Sequence, residues 1–154
     1  MTVTRPLPIP DDHSAGYWAA ARRHTLALPR CARCHSFALP PSETCRHCGT
    51  FEPEFRFEAV SGTGRVRSWT MVRKASLLGF ADQVPYLLVD VELSAQPGLR
   101  MIGRLLGEPA DPHLDDPVQV VFEDVDDDIS IPAFTLVRET PGRGDTPTGD
   151  EAGR

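Results

Sequence analysis

The chain has 154 residues, of which 40% are apolar and 25% charged, as expected for one globular domain with at most a small appendage. The formal net charge is -6, which argues against a protein that binds nucleic acid by neutralising phosphates. No apolar run approaches the roughly 20 residues of a membrane span, and the first ten residues lack the apolar centre of a secretory signal. We therefore expect a cytoplasmic protein with no membrane or nucleic-acid partner, whose cysteines bind metal or do redox chemistry.

The N-terminal 29 residues predict an arm followed by a helix. Residues 1–10 contain three prolines, which exclude a regular helix and favour an extended arm. Within residues 11–29, the sequence predicts a helix over Ala15–His24, because polar capping residues precede it and apolar residues recur at the spacing of one helical face as far as Leu28. Pro29 must end this helix.

All four cysteines lie within residues 30–53, in two C-x2-C pairs. Cys31 and Cys34 form the first pair, Cys45 and Cys48 form the second, and ten residues separate the two pairs. Zinc prefers four soft ligands at tetrahedral corners, and a two-residue spacer lets both thiolates of one tight turn reach the same ion. Four protein ligands leave no position for water, so the sequence predicts a structural Zn²⁺ that stabilises a ribbon too small to hold a core of its own.

Other uses of these cysteines are disulfides, free thiols, a redox dithiol, or a rubredoxin-type iron site with the same four ligands. The double motif favours zinc over all of them. His35 and His47 adjoin the cysteines and could replace one ligand. Because four thiols are already present, we expect both histidines to be exposed and not to bind metal.

Residues 54–138 predict a small barrel or sandwich. Short stretches of alternating or continuous apolar residues are separated by turn signals, with no convincing helix between them. A closed barrel would remove the exposed edges of an open sheet. The predicted strands are 55–59, 66–74, 86–93, 99–106, 118–122 and 131–137. Residues 139–154 are rich in glycine and contain no aromatic residue, so we expect a disordered tail.

The weaker motifs within residues 54–138 do not predict an enzyme. The aspartates between residues 124 and 128 could hold a hard cation, but the spacing of a calcium loop is missing and a solvated turn is favoured. Gly62-Thr63-Gly64 is typical of a turn between strands, although such a loop could approach a phosphate. His113 lies in a loop rich in aspartate and proline, and no nucleophile motif accompanies it.

The order of these features resembles the acyl-CoA-associated zinc-ribbon/OB-fold family, long described as a domain of unknown function. The resemblance covers roughly residues 11–138. It rests on motifs that are individually loose but occur in a specific order: Tyr17-Trp18, the two cysteine pairs, Pro40-Pro41, the stretch 60–66, Ser68-Trp69-Thr70-Met71-Val72, Val84-Pro85-Tyr86, 89–93 and 131–134. It implies a mainly β chain with an N-terminal helix, a rubredoxin-like zinc ribbon and an OB-fold-like antiparallel barrel of five or six strands.

The resemblance also implies an accessory function. Members of this family resemble obligate partners of thiolase-like enzymes, lipid-transfer-type aldolases or MaoC-like enoyl-CoA hydratases, several of them in bacterial steroid side-chain degradation. The chemistry belongs mainly to the partner, and the ribbon-OB subunit helps form the channel for acyl-CoA. We therefore expect a hetero-oligomer, a heterotetramer around a partner dimer, in which this chain supplies no catalytic residue.

Two apolar features suggest where a partner binds. Tyr17 and Trp18 lie on a short helix outside the predicted barrel, and aromatic residues are enriched at the centres of interfaces. Leu78 and Phe80 lie at the apolar tip of a loop close to Tyr86. Packing back against the barrel is the alternative for each of these residues.

A single-stranded nucleic-acid module is the second candidate function, because OB-folds and ribbons both serve that purpose. Trp69 and Tyr86 could stack on bases, but the acidic barrel has the wrong charge. Phosphates of CoA, if bound by this chain, would meet the basic residues of the N-terminal region: Arg22, Arg23, Arg30 and Arg33.

Overall fold

The computed structural model describes residues 5–77, 79–107 and 111–137. This part of the chain is mainly β, as predicted, and its single α-helix precedes seven strands. The predicted tail, 139–154, and the first four residues of the predicted arm lie outside the described residues. The elements are α1 (Ala15–Ala21), β1 (Ala27–Cys31), β2 (Phe55–Ala59), β3 (Thr63–Val72), β4 (Tyr86–Leu93), β5 (Arg100–Leu106), β6 (Pro117–Asp124) and β7 (Ser130–Leu136).

Helix α1 ends earlier than the apolar spacing predicts. His24 adopts the left-handed φ of 53°, and the N–H of Thr25 donates to the carbonyl of Ala20 at 3.0 Å, so the chain turns out of the helix. Residues 27–31 then form β1, in which Leu28 is fully buried. The apolar spacing that continues to Leu28 therefore reflects a buried strand and not a fourth helical turn.

Strands β1 and β2 form a separate antiparallel two-stranded sheet, with Ala27 opposite Ala59 and Cys31 opposite Phe55. The sequence correctly predicts a strand at 55–59, but this strand pairs with the ribbon's own strand and not with the barrel. The first cysteine therefore lies at the end of a sheet strand, which fixes the position of the metal site relative to α1.

The other five strands form a closed barrel in the order β3-β4-β5-β7-β6, with β6 returning to β3. All neighbouring pairs are antiparallel except β5 and β7, which pair in parallel at Leu105–Phe134 and Leu106–Thr135. A β-bulge between Val66 and Ser68 bends the long strand β3. The prediction of an OB-fold-like barrel of five or six strands is confirmed, with five.

Two glycines allow close approach at the start of β3, Gly62 to β6 and Gly64 to β4. Gly62 has a φ of +70°, and a Cβ atom there would lie 2.0 Å from Cγ1 of Val120. A Cβ at Gly64 would lie 2.6 Å from the carbonyl oxygen of Glu92. The Gly62-Thr63-Gly64 motif therefore serves close backbone approach at a strand start.

The main hydrophobic core fills the barrel and extends to β1. Phe134 is the largest fully buried side chain, and a Cβ atom at Gly103 would lie 3.0 Å from its ring. Leu26 and Leu28 belong to the same cluster as the barrel residues, so the barrel and the sheet that carries Cys31 share one core. No helix of the described residues is long and apolar enough to cross a bilayer.

The acidic turn after β6 contacts the end of α1. His24 stacks on Phe122 with ring centroids 5.3 Å apart, and its Nε2 lies 2.7 Å from Oδ1 of Asp124. Arg22 forms an ion pair with Asp128 at 2.9 Å. Hydrogen bonds from Ser130 and then His24 lower the pKa of Asp124 below its ordinary value. The acidic turn therefore anchors the end of the helix. It is not a metal site of this kind, since among the described residues only the cysteines form a cluster of at least three side chains able to bind a metal ion.

Gly16 is the position in α1 where a substitution separates helix propensity from packing. Alanine favours a helix over glycine by about 1 kcal/mol, but a Cβ at Gly16 would lie 2.4 Å from Cδ2 of Phe57. Overpacking costs about 1–3 kcal/mol. We expect Gly16→Ala to lower the free energy of unfolding in a urea titration, whereas Ala19→Gly, at an exposed helical position, measures propensity alone. A stabilised Gly16→Ala variant would contradict the close packing of α1 on β2.

Candidate metal centre and docking surfaces

The two cysteine pairs form equivalent knuckles. In the first, the N–H of His35 donates to the carbonyl of Cys31 at 2.9 Å, and the N–H of Cys31 donates to the carbonyl of Ser36 at 3.0 Å. In the second, Gly49 donates to Cys45 at 2.8 Å and Cys45 donates to Thr50 at 2.9 Å. The same backbone bonds at the same spacing direct both thiols of each pair to one side.

Each knuckle turns at a residue with left-handed backbone, directly after its second cysteine. Gly49 has a φ of +70°, which glycine adopts without strain, and His35 has a φ of +59°. The side chain of His35 is exposed. Nε2 of His47 lies 3.1 Å from the carbonyl oxygen of Phe37, which provides its polar partner outside the thiol cluster.

The four sulfur atoms converge on one point. Sγ of Cys31 lies 4.0 Å from Sγ of Cys48, Sγ of Cys34 lies 3.7 Å from Sγ of Cys45, and all four lie within 4.8 Å of one another. Ligands 2.3 Å from a tetrahedral zinc ion are about 3.8 Å apart. These two separations are far beyond a disulfide bond of about 2.05 Å. The cluster therefore fits one tetrathiolate metal ion.

Local hydrogen bonds set the protonation of the thiols. The hydroxyl and backbone N–H of Thr50 lower the pKa of Cys48 to about 6, and bonds from Ser36 lower the pKa of Cys34. Burial raises the pKa of Cys45. Since a thiol binds metal as its thiolate, the lowered pKa values of Cys34 and Cys48 favour metal binding. Arg33 joins the knuckles by donating to Oγ1 of Thr50 at 2.8 Å.

The aromatic pair on α1 divides between core and surface. Tyr17 packs against the main core, and burial raises the pKa of its hydroxyl to about 12. Trp18 is half-buried, with its ring edge-on to Tyr17 at a centroid distance of 5.0 Å. Tyr17 is likewise half-buried, so a second protein can reach the exposed part of both side chains, although only Tyr17 of this pair packs against the main core.

The predicted loop contacts lie at a cleft on the outside of the barrel. Phe80 and Tyr86 are half-buried and line a cavity of about 370 Å³ together with Leu7 of the N-terminal arm. The guanidinium groups of Arg5 and Arg104 lie over these two rings, at 5.6 and 5.1 Å from the centroids. Leu78, the third predicted contact of this loop, lies outside the described residues.

Most of the basic residues suggested for CoA phosphates already have partners. Arg22 pairs with Asp128, Arg30 with Glu58 at 2.6 Å, and Arg33 with Thr50. Arg23 makes no ion pair among the described residues. The structure therefore does not group these four arginines into one free basic patch.

The sequence did not predict the apolar surface on β3. Trp69 and Met71 are 41% and 40% exposed, and both follow the bulge in β3. Trp69 entered the sequence argument only as a possible stacking residue for bases. The sequence signal for this surface is the alternation of apolar residues, Trp69 and Met71, in the second half of β3, beyond its buried residues.

The comparisons with known proteins agree with this geometry. The model of the ChsH2 C-terminal OB-fold domain matches residues 57–123. A chain of the solved structure of the Ltp2-ChsH2(DUF35) aldolase superposes with a TM-score of 0.71 at 28% identity, covering 84% of this chain and 98% of that one. The chain is therefore similar, in its barrel sequence and in its fold, to proteins of the DUF35/ChsH2 type. The family resemblance inferred from the sequence is thereby confirmed.

Two further proteins extend the comparison. A DUF35-family protein of unknown function from Sulfolobus solfataricus shares the fold at 10% identity, with a TM-score of 0.52 over 82% of this chain and 86% of that one. A probable enoyl-CoA hydratase alpha subunit of Thermomonospora curvata is 31% identical over 131 residues, which cover 84% of this chain. The matched region spans 39% of that hydratase subunit.

Proposed function

We propose that this chain is a non-catalytic accessory subunit that binds and stabilises an enzyme acting on CoA thioesters. The observation that carries the proposal is the structural likeness to a chain of the Ltp2-ChsH2(DUF35) aldolase. The likeness covers 84% of this chain and 98% of the aldolase chain. The partner we propose is a thiolase-like enzyme, a lipid-transfer-type aldolase or a MaoC-like hydratase. The hydratase alternative is supported by the relative from Thermomonospora curvata.

The proposed assembly is a cytoplasmic heterotetramer with two copies of this chain on a partner dimer. The chain helps form the acyl-CoA channel, in fatty-acyl or steroid side-chain degradation, and supplies no catalytic residue. The ring of His113 is highly exposed, with its Nδ1 3.6 Å from Oδ2 of Asp116. The residues that contact the partner are Tyr17, Trp18, Leu78, Phe80 and Tyr86.

Within this assembly the metal is a structural Zn²⁺ bound by Cys31, Cys34, Cys45 and Cys48. The convergence of the four sulfur atoms supports the site, and the closed tetrathiolate shell leaves the ion no open position for substrate. The ion stabilises the ribbon by joining its two knuckles. A tetrathiolate iron would be red, so the visible spectrum of the purified protein distinguishes the two metals.

Purification of the tagged chain from its native host tests the proposed partnership. We expect a thiolase-like, aldolase-like or hydratase-like protein to co-purify in equal amount after gel filtration, identified by mass spectrometry. Recovery of the chain as a monodisperse monomer, indifferent to such proteins, would contradict the proposal. Salt-sensitive, micromolar binding to an oligonucleotide would instead favour the nucleic-acid alternative.

A further inference from the structure

The second half of β3 has a free backbone edge. Strand β6 pairs with β3 only from Thr63 to Arg65, whereas β4 pairs with it as far as Val72. From Ser68 onward, no strand of the described residues lies on the other side of β3. An unpaired edge of this kind is a template for strand addition.

The register shows which backbone groups face that edge. The N–H and C=O of Val66 bond to residues 115–116 on the β6 side, and the N–H of Leu93 bonds toward β5. The backbone N–H and C=O groups of the odd-numbered residues of β4 therefore point toward β5 and away from β3. Trp69 and Met71 lie opposite Val89 and Leu87, so their own N–H and C=O groups point away from β4, toward the free edge.

The side chains of Trp69 and Met71 are only partly covered by the described residues of the chain. Directly opposite residues of an antiparallel pair share a face, so Trp69 lies on the same face as Val89, which is fully buried. Trp69 and Met71 are nevertheless 41% and 40% exposed.

The charged residues near the β3 edge indicate what kind of strand could bind there. Arg67 is paired with Glu92 and Asp115, whereas Arg73 and Lys74 make no ion pair within the described part of the chain. Antiparallel pairing with a second copy, centred on Thr70, would place Arg67 opposite Arg73 of the other copy. Like charges at opposed positions are destabilising. An acidic strand of another protein is favoured over a second copy of this chain.

We propose that the β3 edge from Ser68 to Val72 binds an extended, apolar and acidic segment of the partner enzyme as an additional strand. The segment's backbone bonds to Trp69 and Met71, its apolar side chains cover these two residues, and its carboxylates meet Arg73 and Lys74. This inference rests on the proposed function, because it names the surface by which the accessory subunit recognises its enzyme.

Residue-resolved hydrogen exchange of the purified complex, compared with the free chain, tests the backbone contacts. We expect the amides of Trp69 and Met71 to exchange at least tenfold more slowly in the complex. The amides of Ser68 and Thr70, which already face β4, should change less than twofold. A complex that forms without protecting Trp69 and Met71 would overturn this inference and leave the proposed function standing. If no complex forms, both fall.

Matched variants test the side-chain contacts. We expect Trp69→Glu to weaken the binding of the purified partner enzyme at least tenfold, because it places a carboxylate where the acidic segment binds. Phe51→Glu, an equally large change at a residue 67% exposed on the ribbon, should alter binding less than twofold. Equal effects of the two variants would contradict the β3 surface. Thermal unfolding of each free variant confirms that it is folded.

Discussion

Replacing Cys45 with serine is expected to remove zinc and unfold the ribbon. Cys45 is fully buried, and the three remaining thiols cannot close a tetrahedral shell. Structural zinc supplies about 10–16 kcal/mol of apparent binding free energy in zinc-finger peptides, and this is also folding free energy. Metal analysis should fall from about one zinc per chain to below a tenth. Circular dichroism should show loss of ribbon structure and a lower thermal midpoint of the whole chain, because β1 shares its core with the barrel.

His47→Ala is the matched control for the metal site. It removes, from the same knuckle, a histidine, which is a residue type that can bind zinc. Its ring contacts the carbonyl of Phe37, so we expect the zinc content to stay at about one per chain. Loss of zinc from this variant would identify His47 as a ligand. A Cys45→Ser protein that keeps its zinc and its ribbon would contradict a tetrathiolate site.

Replacing Trp18 with alanine is expected to weaken the complex strongly. Interface anchors of this residue type cost 2 kcal/mol or more when truncated, about a 30-fold change in Kd. Trp18 touches Tyr17 edge-on but is only half-buried, and the buried face of α1 is formed by Ala20 and Ala21. The thermal midpoint of the free chain should therefore change little. Isothermal titration of the partner enzyme with each variant measures the effect.

Two controls separate docking from folding in this experiment. Phe51→Ala removes an exposed aromatic side chain from the ribbon and should leave Kd within twofold of the original chain. Tyr17→Ala removes a side chain that packs in the core and should lower the thermal midpoint. If Trp18→Ala unfolds the chain as Tyr17→Ala does, Trp18 is a core residue and not a contact.

The cysteine cluster and the barrel were predictable because their signals are local. Two residues between paired thiols set the geometry of a knuckle wherever the chain places it, so the spacing of Cys31, Cys34, Cys45 and Cys48 predicted a cluster that the structure forms. Likewise, period-two alternation from Tyr86 to Leu93 needs only the strand's own side chains to be recognised.

Features that depend on distant parts of the chain were not predictable in this way. Leu28 has the spacing of a helical face, but pairing with β2 and burial in the shared core make it part of a strand. The left-handed conformation of His24, together with its contacts to Phe122 and Asp124 almost a hundred residues away, ends the helix. The free edge of β3 follows only from where β6 stops pairing.

The steady-state rate of the partner enzyme, titrated with this chain, tests the central claim most directly. The purified chain alone should turn over no CoA thioester. Added to a fixed concentration of partner, it should raise the rate until one copy is present per partner subunit, and no further. Thioester turnover by the chain alone, or a partner whose rate and stability ignore the chain at every ratio, would contradict an accessory role.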